Sequence, residues 1–81
     1  MQGKFFAVVQ PNPEKPNAFI IRRGVVEKPV GENWLLSFKG TTYNYEMVLS
    51  TDKLQGFAFF STEAERQLFI DELTAGSEKA N

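Results

Sequence analysis

The 81-residue sequence contains no cysteine and no histidine. Without cysteine there is no disulfide, no zinc–thiolate site and no thiol nucleophile. Without histidine the commonest general base and the commonest transition-metal ligand are gone. No apolar run approaches the roughly 20 residues that a membrane helix needs. The apolar stretch after Lys4 is too short for a signal peptide and has no small-residue cleavage site before Pro11. Gly3 is not at the myristoylation position. A cytoplasmic protein without membrane contact is expected. Net charge is also scarce, at −1 overall. A strongly basic balance, the usual mark of a nucleic-acid module, is therefore missing.

Large apolar side chains are plentiful. They make up 42% of the chain, with eight phenylalanines, so the chain is expected to bury a core rather than remain disordered. At this length the expectation is one globular domain over residues 1–76, followed by a frayed tail over 77–81.

The apolar pattern is mostly of period two. Lys4–Gln10 reads as a strand with Phe5, Ala7 and Val9 on one side and Phe6 and Val8 on the other. Three of the four prolines cluster between Pro11 and Asn17 and mark an irregular loop. Ala18–Val30 reads as a long strand, with a bulge or bend at Gly24. Pro29–Asn33 is a turn. Trp34–Lys39 and Thr42–Leu49 alternate around Gly40-Thr41, a hairpin signal. Tyr43, Tyr45, Met47 and Leu49 share a face that reads as core. Ser50–Gly56 is a polar loop, and Phe57–Phe60 is a fifth strand.

Helical character follows Thr62, which stands three residues before Glu65 in a capping-box spacing. Ala64, Leu68, Phe69 and Leu73, with Ile70 beside them, predict the buried stripe, and Gly76 predicts the helix end. Five strands and then a helix predict a mainly β fold. The strands would be antiparallel, in a small SH3-like or OB-like partly closed barrel or an open twisted sheet, with the C-terminal helix over it.

Charge is divided along the chain. Residues 1–40 hold six cations against three carboxylates, and residues 41–81 hold three against seven. Arg22-Arg23 is the most distinctive dipeptide. Paired guanidiniums suit phosphate or carboxylate groups, and they equally suit salt bridges to Glu27, Glu46 or the acidic helix. With Lys28, Lys39 and a partly exposed Trp34, the two arginines form the candidate partner-binding set. No catalytic or metal-binding residues are singled out and no cofactor is expected. The serines Ser37, Ser50, Ser61 and Ser77 have no histidine to activate them, and no phosphate loop or metal-ligand spacing occurs.

Several strands are apolar on both faces: Phe5/Phe6, Ile20/Ile21, Val25/Val26, Leu35/Leu36, Phe59/Phe60. One helix struggles to cover both faces of every strand. Either barrel closure and the helix together hide this surface, or the leftover part of it predicts a self-association or partner interface. The functional expectation is a non-enzymatic module acting through protein–protein contacts as a homodimer. The alternative is a weak single-stranded nucleic-acid-binding domain that uses the basic β-surface.

Overall fold

The computed structural model describes the backbone of residues 1–79 and the side chains of residues 1–75. The elements are β1 (Phe5–Pro11), β2 (Phe19–Val30), β3 (Asn33–Lys39), β4 (Asn44–Leu49), a 3₁₀ turn (Thr51–Leu54), β5 (Phe57–Phe60) and α1 (Glu63–Lys79). All strand pairs are antiparallel, in the order β4-β3-β2-β1-β5. The first four strands run as a meander, and β5 returns to the free side of β1. β4 and β5 are thus the two edges and do not pair with each other. Of the two expected arrangements, the sheet is the open one, a mainly β fold with one C-terminal helix.

Alternation gives the sheet an inner and an outer face. Phe6 and Val8 of β1, Val26 of β2, and Leu36 and Phe38 of β3 are buried on the inner face, with Leu54 from the 3₁₀ turn closing over them. Phe57 and Phe59 of β5 pack against this cluster, and the Phe6 and Phe38 rings meet edge-to-face at 4.9 Å. Phe5, Ala7, Val25 and Phe60 stand on the outer face, where α1 lies along β1 and β5. Each two-faced apolar pair in the sequence therefore sends one side chain to each layer.

Gly24 serves a different purpose from the one expected. The register runs unbroken from Phe19 to Val26, and the shift falls between Val26 and Lys28. A Cβ on Gly24 would run into the Ser37 carbonyl oxygen and stand 2.8 Å from the Phe6 ring. The residue is glycine because a backbone and an aromatic ring close on it from two sides. Pro29 also belongs to β2, opposite Trp34. β1 reaches only to Val25 in its pairing. Lys4 and Gly3 still bond Val26, whose N–H donates to the Lys4 carbonyl at 2.9 Å and whose carbonyl accepts the Gly3 N–H at 2.8 Å. Beyond Val26 that edge of β2 has no strand to serve, and a missing N–H costs nothing there. Gly31 at φ +63° then makes the tight link to β3.

α1 opens with the predicted capping box. The Glu65 N–H donates to Thr62 Oγ1 at 3.2 Å, and the Thr62 hydroxyl donates to Glu65 Oε1 at 3.0 Å. Its buried side is not the predicted stripe. Leu68 is 64% exposed and Ala64 is exposed, whereas Arg66 is buried and Phe69 and Ile70 are half-buried. The helix is rotated so that positions 66, 69 and 70 face the sheet. Leu73, next on that line, is 36% exposed. Gly76 does not end the helix, which continues to Lys79. A helical glycine costs about 1 kcal/mol relative to alanine, too little to stop a helix where no proline follows. Residues 77–79 of the expected frayed tail are therefore helical, and 80–81 lie outside the described residues.

Candidate functional site

The outer face of β2 and β3 is left uncovered beside the first turns of α1, and the space between them is a groove of about 750 Å³. Phe5 and Val25 give it an apolar lining, and Ser37 and Gln67 add neutral polar groups. Its cations are Arg23, Lys39 and Arg66, and its carboxylates are Glu27 and Glu63.

Arg66 organises this groove. Its guanidinium carbon lies 5.2 Å from the centre of the Phe5 ring. Its Nη1 donates to the Gly24 carbonyl at 2.8 Å, which ties the helix to β2. Its Nη2 is 3.5 Å from Glu63 Oε1, and its Nε is buried with no partner. Burial pushes the arginine below its ordinary pKa. The Glu63 carboxylate opposes that shift, and the nearby Arg23 guanidinium adds to it. An arginine remains protonated throughout, so the fold holds a full positive charge in a poorly hydrated position.

The predicted set divides between the two faces. Arg22 and Arg23 stand on opposite sides of β2, as successive residues of a regular strand do. Arg23 faces outward into the groove, where Nη1 donates to Gln67 Oε1 at 3.2 Å. Arg22 is on the inner side, its guanidinium carbon 4.6 Å from the centre of the Tyr43 ring. Among the described residues neither arginine forms an ion pair; the one pair is Arg66–Glu63. Lys39 shares the groove with Arg23. Lys28 is exposed beyond the register shift, outside the groove lining. Trp34 is half-buried against the inner core. The structure thus brings together Arg23 and Lys39, and leaves Arg22, Lys28 and Trp34 apart from them.

Sequence reasoning missed Arg66, because a charged residue on a helix reads as solvated. Its signal was its spacing. It stands three and four residues before Phe69 and Ile70, so it shares their face.

A second feature is the β4 edge. Tyr45, Met47 and Val48 are 37%, 44% and 49% exposed. The alternation had placed Tyr45 and Met47 in the core. They do point to the inner side, and Tyr45 stacks on Phe38 at 4.8 Å. With the sheet open, however, they are not enclosed: Tyr43 stands beside Tyr45 at 6.1 Å between ring centres, and both Tyr45 and Met47 stay partly exposed. Tyr43 is the better satisfied ring: it is half-buried, and its hydroxyl accepts the Arg23 N–H at 2.9 Å.

No helix is long and apolar enough to cross a membrane among the described residues. No family model, curated protein or solved structure matches the chain.

Proposed function

We propose that this protein is a non-enzymatic binding module that works through protein–protein contacts. It self-associates by pairing β4 with β4 of a second copy. The supporting observation is the state of that edge: six residues long, in unbroken register with β3, and carrying one charge, Glu46. Edges of soluble proteins are usually blunted by lysines, prolines, bulges or extreme shortness. β4 has none of these.

Its sequence is also compatible with itself. Antiparallel pairing about a two-fold axis at Met47 sets Tyr45 against Leu49, Met47 against Met47 and Glu46 against Val48. The two Glu46 carboxylates are then not directly opposed, a placement that would be destabilising. Tyr45, Met47 and Leu49 share a face, so the two inner apolar surfaces become continuous. Such an isologous contact closes on itself as a dimer.

A single strand pair covers less than a standard interface, so association in the range of about 10–100 µM is expected. Sedimentation equilibrium should show a monomer–dimer equilibrium there, and Met47→Lys should shift it to monomer with the fold intact. A single monomer-mass species up to roughly ten times that concentration overturns the reading. A labelled oligothymidylate titrated at low salt tests the nucleic-acid alternative. Binding that falls steeply with salt, and is lost in Arg22→Ala/Arg23→Ala, supports that alternative instead.

A further inference from the structure

Arg66 is 7% exposed, and the two edges of its guanidinium are unequally satisfied. Nη1 has the Gly24 carbonyl at 2.8 Å. Nε has no partner, and Nη2 has Glu63 at 3.5 Å. A charge-assisted N–H···O bond is typically about 2.7–2.9 Å, so Glu63 is a loose neighbour. The Glu63 side chain is 74% exposed and is free to swing into water. Nε and Nη2 together form the side-on fork that matches the two oxygens of a carboxylate.

We propose that the groove between α1 and the outer face of β2–β3 binds a ligand bearing one carboxylate, which displaces Glu63 from Arg66. The charge of the groove sets the class. Three cations against two carboxylates leave one positive charge. A single carboxylate neutralises it. A dianionic phosphate or a polyphosphate backbone exceeds it and meets Glu27 and Glu63 as like charges. Arg23 stands close enough to Arg66 for the two guanidiniums to repel, and an anion between them relieves that repulsion. The volume, about 750 Å³, lies within the roughly 300–1,000 Å³ of small-molecule sites. Phe5 and Val25 offer apolar surface to the body of the ligand, and Ser37 and Gln67 offer neutral hydrogen bonds. The proposal is independent of the β4 edge, which is not part of the groove lining.

The test uses the full chain and its arginine Nε–Hε resonances, at constant ionic strength in chloride. The probes are acetate, acetyl-trialanine as the free acid and as the amide, inorganic phosphate, and oligothymidylate. The free acid should move the Arg66 and Arg23 resonances saturably, and its amide should bind at least about tenfold more weakly, the loss expected for a charge-assisted contact. Arg66 variants risk unfolding, so two other substitutions decide. Arg23→Gln should weaken acid binding. Glu63→Gln should strengthen it by removing the internal competitor. Glu72→Gln, the same change of net charge outside the groove lining, should leave it unaltered. A peptide acid binding more tightly than acetate assigns the carboxylate to a polypeptide terminus, and equal binding assigns it to a small free acid. Phosphate or oligothymidylate binding as tightly as the acid overturns the proposal. So does the absence of saturable shifts, or a Glu63→Gln variant that binds no better than the native chain.

Discussion

The two edges of the sheet are handled in opposite ways. β5 is four residues long, half-buried throughout, and leads within two residues into a capped helix that folds back over β1 and β5. Its Phe57 and Phe59 join the inner core, while Phe60 meets Phe69 of α1 at 5.2 Å between ring centres. Even the chain leading into β1 is tied to this end, with Lys4 Nζ donating to Ser61 Oγ at 2.9 Å. β4 is longer, and apart from Leu49 its residues are exposed. The same device, an apolar strand at the rim, is covered in one place and left bare in the other. Both rims end in an unpaired backbone edge; what sets β4 apart is that Tyr45, Met47 and Val48 stay exposed on it.

The largest test of this contrast lies between the edges. Phe6 is fully buried and contacts Phe38 and Phe57. Phe6→Ala should cost about 3–5 kcal/mol, close to the whole stability of a domain of this size. Chemical denaturation should find the variant largely unfolded. If it stays folded with a small loss, the inner cluster is not what joins the two halves of the sheet.

Next comes the helix. Phe69 is half-buried against Phe60, whereas Leu68 is 64% exposed. Phe69→Ala should destabilise by about 1–2 kcal/mol, less than for a fully buried large side chain because the ring is only half-buried. Leu68→Ala should stay within about 0.5 kcal/mol. Thermal melts of both variants check the rotation of α1. Equal losses, or a larger loss at Leu68, would restore the stripe that the sequence suggests.

That stripe shows how far the sequence could be read. The strands were legible because period-two alternation and glycine or proline breaks leave few alternatives: Phe57–Phe60 needed no adjustment. The capping box was legible because it is a local chemical match between Thr62 and Glu65. Which side of the helix faces the sheet was not local. Leu68 and Leu73 are more apolar than Arg66. Arg66, however, has a carbonyl of β2 to donate to and an aromatic ring to lie against, and those partners are 42 residues and more away. The same holds for Tyr45 and Met47. Alternation assigned them to the correct face, but whether that face is covered depends on sheet closure, which no residue in β4 encodes. Of the candidate site, Arg23 and Lys39 were legible as cations, and their meeting with Arg66 was not.

A smaller effect is expected at the cap. Thr62→Ala removes one acceptor for a helix N–H and should cost roughly 1 kcal/mol, while Phe69 and Ile70 keep the helix on the sheet. Loss of helical circular dichroism with the sheet intact would mean that the cap, and not the packing, maintains the covered edge.

The smallest effect should be at the bare edge itself, and there the protein concentration decides the outcome. Val48 is 49% exposed on the outer side of β4, where it pairs with Leu35 across the sheet. In a monomer, Val48→Thr changes exposed surface and should alter stability by less than about 0.5 kcal/mol. In the β4–β4 dimer the same residue stands opposite Glu46 of the second copy. Anything that binds the folded chain and not the unfolded one raises the melting temperature with concentration. The native chain should therefore melt higher at hundreds of micromolar than at a few micromolar, on the order of the association range set above. Met47→Lys should melt at one temperature throughout, because a pair of lysines would face each other across the axis. Val48→Thr should track the native chain at low concentration and fall slightly below it at high concentration. A native chain whose melting temperature does not move with concentration leaves β4 bare in solution, and the difference between the two edges would then have to be explained without a second copy.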